Sequence, residues 1–533
     1  MSEIWDYIIA GGGTSGCVLA NRLSRDPNCR VLLLEAGGKD QSPILRMPAG
    51  VISAVFSDRY NWKYPALPDH SRNSLEDRWS GGRVIGGSSS INGMLFMRGH
   101  ASDYDRWAAM GCDGWDFQSL LPHFQSIENF EEGADEYRGG SGAVSVTFPA
   151  TKPRIVDAFV EAAIECGHAL NSDYNSGDSE GVGLAQASIK AGRRHSAAQA
   201  FLAPIHTRKN LEVRTLAQVD FITFNGNQAC GVDYRWKGKR QTALCKREVI
   251  LSAGAIGSPK ILMHSGIGPA NMLRTLGINV VHDAPNVGSN LMEHPGVYVT
   301  GRSNIATFNS AARKSRLPGV ILDWLLRGRG PAACGTAMAQ VLARSDKTIS
   351  APDLQLLLSL ATFDINNSGT AASLSAEDGI SIAACMLEPK GRGRVFITSN
   401  DPRQLPRVDH ALLGESEDIS RLSMSAKLAL DIMAQLKSDG VLSDCTFPIA
   451  SDAPDDEWRD YLKTAAFRAD HPSGTCAMGS GSDTVLDPRL KVRGVHKLRV
   501  VDASIVPVIP NANTCATALV IAEKAAQDIL CGR

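Results

Sequence analysis

The stretch DYIIAGGGTSGCVLANRLSRDPNCRVLLLEAG, residues 6–37, decides the fold. Residues 6–10 read as a short apolar strand, Gly11-x-Gly13-x-x-Gly16 as a tight turn, and Cys17 to Leu23 as the opening of a helix. A second apolar strand, Val31 to Leu34, follows and ends in Glu35. Each part has a physical reason. Glycines let the backbone turn sharply and approach a pyrophosphate, whose charge is met by the amide groups at a helix amino terminus. Glu35 follows Gly16 by 19 residues, where a carboxylate accepts hydrogen bonds from a ribose. A glycine turn alone also serves as a purely structural crossover. The strand–turn–helix–strand setting with a closing acid points to a dinucleotide, and it leaves nicotinamide and flavin equally open.

Outward from that motif, the composition narrows the function. The chain has 533 residues, of which 43% are hydrophobic and 21% charged, so it can bury a large core and is expected to form two domains. Fifty-five basic residues stand against fifty-six acidic ones with no long single-sign block, which argues against nucleic acid as a partner. The opening MSEIWDYII lacks the basic, apolar and small-residue sections of a signal peptide, and no apolar run approaches about eighteen residues, so a cytoplasmic protein is expected. The twelve cysteines form no C-x-x-C pair, which suits reduced thiols better than a disulfide framework. His471 and Cys476 have no second ligand pair beside them, and no metal site is expected.

Further along, GGRVIGGSSSINGMLFMRGHASDYD (81–105) packs glycine and serine before a hydrophobic run. GAIGSPKILMHSGIG (254–268) leads from a strand at Val249 to Ser252 into a short helix. Both resemble the two signatures of the glucose-methanol-choline (GMC) oxidoreductase family. EPKGRGRVFITSNDPRQLPRVD (388–409) and the closing LRVVDASIVPVIPNANTCATALVIAEKAAQDIL (498–530), with a strand and a final helix, are similar to that family in the same order. The resemblance covers essentially the whole chain and looks nearer to bacterial alcohol and choline dehydrogenase-like members.

The resemblance implies FAD as cofactor. Its pyrophosphate would lie at Gly11, Gly13, Thr14, Ser15 and Gly16, and its adenosine ribose at Glu35 and Ala36. Trp62 in NWKY and the backbone of Val219 in LAQVDF match adenine-side positions. Gly86, Gly87, Asn92, Gly93 and Met94 would run along the flavin, and Asp502 and Ala503 would return to the pyrophosphate and ring. Some relatives attach FAD through a histidine just before the asparagine of the first signature. Here that residue is Ile91, so non-covalent FAD is expected.

RADHPSGTCAMG (468–479) resembles the family's HP-x-GT-x-x-MG, which places His471 at the flavin with Asn513, in PNANTCAT, as its partner. Removing hydride from an alcohol carbon is helped by taking the hydroxyl proton, a task for an imidazole, while an amide holds the oxygen in line. The implied activity is FAD-dependent oxidation of an alcohol to an aldehyde or ketone, with oxygen or another acceptor reoxidising the flavin. A hydroxynitrile lyase that keeps FAD without net redox, and an oxygen-using alcohol oxidase, are the alternatives. Asp470 replaces the bulky residue many relatives place before the histidine. Turned into the pocket, it would favour a polyhydroxylated or cationic alcohol and raise the pKa of His471. Turned away, it would pair with Arg468 or a backbone amide.

The expected architecture is α/β: a doubly wound, Rossmann-like FAD-binding domain with an interleaved α+β substrate domain on an antiparallel sheet. Residues 1–150, 190–295 and 467–533 would form the first, and residues 151–189 and 296–466 the second. DLQLLLSLATF (353–363) and GISIAACMLEP (379–389) read as strands, and the polar stretch 364–378 joining them as either a mobile loop over the entrance or a plain hairpin loop. ARKSRLPGVILDWLLRGRGP (312–331) sets apolar residues between basic ends, as an interfacial membrane helix does. Its short apolar core and the Pro318-Gly319 break favour an ordinary packed helix, so membrane contact is not expected.

Overall fold

A computed structural model describes residues 3–365, 372–445 and 447–532. Its first sheet has seven strands. In spatial order they are Leu211–Thr215, Val31–Glu35, Glu3–Ala10, Lys239–Leu251, Gln228–Trp236 and Ala217–Asn225, with Leu498–Val500 also paired to Lys239–Leu251. The pairs around Glu3–Ala10 are parallel and the last two pairs antiparallel. Val31–Glu35 is buried along its whole length, as a continuous apolar run covered on both faces must be. The helix Thr14–Leu23 returns across this sheet and meets the carboxy-terminal helix Thr514–Leu530, where the Ser15 hydroxyl donates to the Ala518 carbonyl at 2.9 Å.

That first helix begins at Thr14, three residues before the position expected from the apolar pattern, and it takes Gly16 into its first turns. The glycine spacing explains why this is possible. A Cβ on Gly16 would lie 2.0 Å from the Gly11 carbonyl oxygen. Gly11 itself has φ +109° and would place a Cβ 2.4 Å from the Ser252 carbonyl oxygen. The helix sits directly on the turn that precedes it.

The second sheet also has seven strands and is antiparallel throughout: Leu442–Cys445, Pro295–Ser303, Gly379–Met386, Leu354–Ser359, Ala339–Ala343 and Gly181–Leu184, with Phe467–Arg468 added beside Pro295–Ser303. Period-two alternation gives it two different faces. Leu354, Leu356, Leu358, Ile380, Ile382 and Ala384 pack with Phe159 of the helix Arg154–Glu165 and with Leu422 and Ile432 of the helix Ser416–Ser438. Gln355, Leu357, Ser359, Ser381, Ala383 and Cys385 point the other way, into a cavity.

Two local expectations change. The strand expected over 353–363 ends at Ser359, and Phe363–Ile365 pairs with Ala372–Leu374 as a hairpin; the intervening part of the predicted loop, 366–371, lies outside the described residues. Pro318 does not break the stretch 312–331. It stands in the first turn of a helix, Leu317–Arg327, where a missing N–H costs nothing. Nor is this helix packed all round, for Trp324 is buried while Leu322, Leu325 and Leu326 are 56%, 52% and 75% exposed.

Gly16→Ala adds about 1 kcal/mol of helix propensity. It also drives a methyl into a backbone oxygen that cannot yield cheaply, at a cost of about 1–3 kcal/mol or more. The expected outcome is a lower urea midpoint, and an unchanged or higher one would show that the helix does not rest on the Gly11 carbonyl.

Candidate active site

Between the two sheets lies one cavity of about 510 Å³. Every residue assigned to the cofactor or to chemistry from the sequence lines it except Gly16 and Gly86. Gly16 lies behind Gly11 and supports the turn. Gly86, at φ +89°, bends the chain into the short helix Gly87–Ser90 and would place a Cβ 2.3 Å from the Ser90 hydroxyl oxygen. Both shape the cavity without facing it.

The dinucleotide half follows from the glycine turn. Gly13 caps the helix Thr14–Leu23 with extended backbone, no capping side chain bonds to its first turn, and that turn holds no acidic residue. The helix amides and the positive end of its dipole therefore remain for an anion such as a pyrophosphate. Glu35 is buried at the end of its strand and accepts from Gly12 N at 2.9 Å and Gly37 N at 2.7 Å; burial pushes its carboxyl up to about 7, against the lowering by those two amides. Asp502 accepts from Gly254 N at 2.9 Å, from the Ser258 hydroxyl at 2.6 Å and from Ser504 N at 2.8 Å, which fixes the start of the helix Gly254–His264 against the closing segment. The Arg194 guanidinium is 2% exposed and donates to both the carbonyl (2.6 Å) and the side-chain oxygen (2.9 Å) of Asn92, so the turn carrying Asn92, Gly93 and Met94 is held from behind. Ile91 is buried among Leu45, Ala54, Tyr60 and Val84.

At the other end, His471 Nε2 lies 3.0 Å from Asn513 Nδ2. The Asn513 oxygen accepts from Gln355 Nε2 at 3.1 Å, so its NH2 faces the imidazole and His471 Nε2 must be the acceptor. The proton of neutral His471 then sits on Nδ1, which donates to Nδ1 of His294 at 2.9 Å. Glu293 ties the arrangement, accepting from His294 N at 2.9 Å and from His471 N at 2.8 Å. Burial pushes Glu293 up to about 8, and it pushes His294 well below the usual imidazole range. Burial also pushes His471 down to about 4, outweighing Asp470, which acts in the opposite direction.

Asp470 stands at the cavity wall in a left-handed conformation, φ +61°, and its Oδ1 accepts from Arg468 at 2.6 Å. Arg468 is held in turn by Asp77 at 2.7 and 2.9 Å. Of the two orientations the sequence left open, the structure has the pairing with Arg468, and the expected rise in the pKa of His471 is reversed by burial. Glu293, His294, Gln355, Tyr298 and Arg194 went unseen in the sequence. His294-Pro295 repeats the dipeptide His471-Pro472, a signal that was available. Tyr298 and Phe467, stacked at 4.3 Å, and Gln355 become neighbours of the site only through strand pairing.

GMC oxidoreductase family models match residues 5–296 and 389–522. The chain is 36% identical to an oxygen-dependent choline dehydrogenase of Photobacterium profundum, covering 99% of this chain and 94% of that one. It is 37% identical to the mitochondrial choline dehydrogenase of Homo sapiens, over 99% and 90%. Among solved structures, pyridoxine 4-oxidase from Mesorbium loti superposes with TM-score 0.88 at 29% identity, covering 98% of this chain and 99% of that one. A formate oxidase from Aspergillus oryzae shares the fold, with TM-score 0.91 at 24% identity over 100% and 99%. The glycine turn with its closing acid, the two-sheet cavity and the match over nearly the whole length agree: the chain belongs to the GMC oxidoreductase family, and it is an FAD-dependent oxidoreductase acting on CH–OH groups.

Proposed function

We propose that this cavity holds FAD non-covalently and that His471 is the base for oxidation of an alcohol to an aldehyde or ketone. The observation that carries the reading is the Asn513–His471–His294 chain, which fixes the His471 proton on Nδ1 and sets Nε2, the nitrogen that accepts from Asn513 Nδ2, at the cavity wall. Glu35, the amides of the helix Thr14–Leu23, Asn92 to Met94 and Asp502 would hold the cofactor. FAD supplies the hydride acceptor when bound.

The protein's own part is positional and acid–base. The alcohol oxygen would replace the bond between His471 and Asn513, giving its hydroxyl proton to His471 Nε2 and taking the hydrogen bond of Asn513 Nδ2 as it becomes a carbonyl. His294 Nδ1 keeps the His471 Nδ1 proton in place, so the basic nitrogen is the one that faces substrate. Domain boundaries at 150, 190, 295 and 467 are part of the same proposal. They are supported by the first sheet taking its strands from 3–35, 211–251 and 498–500, although Phe467–Arg468 joins the second sheet. The choline dehydrogenases among its relatives support a small alcohol as substrate, with oxygen or another acceptor reoxidising the flavin.

Ile91 cannot make the histidyl bond, so acid precipitation is expected to leave the flavin in the supernatant; flavin retained in the pellet contradicts non-covalent binding. His471→Ala is expected to keep FAD and slow anaerobic flavin bleaching by substrate about 10²–10⁴-fold. Asn513→Ala is expected to slow it less, because it orients and takes no proton. A parental rate in the histidine variant removes the role assigned to His471.

The pH dependence has a definite sign. Burial disfavours the imidazolium and depresses the pKa of His471 to about 4, so the neutral, active form persists as pH falls through the ordinary histidine range. Flavin reduction should hold level down to about pH 5 and decline only below it, where an unperturbed imidazole would already lose activity near about 6.5. Asp470→Asn removes a raising influence and should move that acid limb lower still. A limb at or above the ordinary histidine value would show that burial does not govern this base.

A further inference from the structure

The segment RKSRLPGVILDWLLRGR, residues 313–329, contains the helix Leu317–Arg327. One side of this helix is bound to the body of the protein. Trp324 is 3% exposed, packs with Ala332 and Ala333, and donates through Nε1 to the Gly192 carbonyl at 2.8 Å. The opposite side carries Leu322 and Leu326, one helical turn apart, with Leu325 beside them; all three are more than half exposed. Leucines so exposed on a single face mark a surface made to be covered.

The chemistry around the leucines says by what. Arg313, Lys314 and Arg316 precede the helix and Arg327 and Arg329 end it, all exposed; the stretch contains one carboxylate, Asp323, bonded to Arg327 at 3.1 Å, and Asp378 lies 3.9 Å from Arg313, which leaves Lys314, Arg316 and Arg329 as the excess positive charge. A second copy of the chain docking by a two-fold axis would set this excess of positive charge against itself. An anionic lipid surface satisfies both features together: the leucines enter the acyl boundary while the long basic side chains reach up to the headgroups. The helix is about 16 Å long, far short of the roughly 30 Å of a bilayer core, so it would lie in the interface plane. No helix among the described residues is long and apolar enough to cross a membrane.

We propose that the helix Leu317–Arg327 seats this enzyme on an anionic lipid surface. The chain on either side of the helix runs to the cavity wall. Just before the helix, Asn309 Nδ2 donates to the carbonyls of Thr362 and Ser375 at 3.0 Å each, bracketing Phe363, which lines the cavity. Just after it, Thr336 and Ala337 line the cavity as well.

The test is co-sedimentation of the FAD-loaded protein with vesicles of phosphatidylcholine alone and of phosphatidylcholine containing one-third phosphatidylglycerol. The expected result is binding to the anionic vesicles that weakens with salt, with little on phosphatidylcholine alone. Replacing Lys314, Arg316 and Arg329 by Gln should weaken binding about fivefold per charge removed. Leu322→Glu with Leu326→Glu should weaken it more than about tenfold. The basic replacements alter only exposed side chains, so they keep the result readable if the Glu pair disturbs the fold, and none of these residues belongs to the catalytic machinery. Equal pelleting of parent and variants, or no pelleting of the parent, overturns the proposal. So does self-association in sedimentation velocity that Leu326→Glu abolishes while vesicles bind nothing, which would assign the face to a second copy.

Discussion

The carboxyl group of Glu293, with no exposed surface, accepts the backbone N–H groups of His294 and His471, and the rest of the site depends on it. The two segments it joins run side by side: Met292 and Ser473 exchange backbone hydrogen bonds at 3.0 and 3.2 Å, and Ala469 N donates to the His294 carbonyl at 2.9 Å. Without Glu293 two buried donors would lose their acceptor, each at about 1–3 kcal/mol. The constraint is geometric as well. It brings two His-Pro segments from distant parts of the chain to the point where His294 accepts the Nδ1 proton that the Asn513 amide, turned by Gln355, assigns to His471.

Burial then sets a conflict that charge does not win. A carboxylate beside His471, read from the sequence, predicts a more basic imidazole; in the folded protein Asp470 is engaged by Arg468, and desolvation of the ring dominates. In the role proposed for it a weakly basic imidazole can still serve, because the hydroxyl proton becomes far more acidic as hydride leaves the carbon and the oxygen turns into a carbonyl. Proton transfer in that case follows the change in the substrate, and what the protein must supply is a lone pair held in line.

What was legible in the sequence was local. The turn at Gly11 to Gly16, the strand closing in Glu35, and the motif around His471 each declare themselves within a few residues, because a tight turn, a buried strand and a flavin-side loop need particular residue types at fixed spacing. What was not legible is brought in by strand pairing and by helix faces. Gln355 reaches Asn513 only because Leu354–Ser359 pairs with Gly379–Met386 and Ala339–Ala343 in one register. The faces of the helix Leu317–Arg327 look alike in sequence, since Trp324 and Leu325 are adjacent apolar residues, yet one is buried and the other exposed. His294 is the intermediate case. Its dipeptide repeats that of the motif around His471 and was readable, but its meaning depends on a contact across 177 residues.

The second sheet separates two demands that usually compete. Along Leu354–Ser359 and Gly379–Met386 the even-numbered residues hold the core against the helices, while the odd-numbered ones form the cavity wall. Side chains on one face of a strand can change without altering the packing on the other, so Leu357, Ser359 and Ala383 can set the shape and polarity of the cavity wall while the sheet stays intact. Gln355 is the exception on that wall. Its amide is committed to Asn513 at 3.1 Å and to Gln340 at 2.9 Å, so a change there reaches the basic nitrogen of His471 through Asn513 rather than the substrate alone. The strand Leu354–Ser359 therefore carries, at adjacent odd positions, a side chain tied to His471 through Asn513 and one that lines the cavity without that tie.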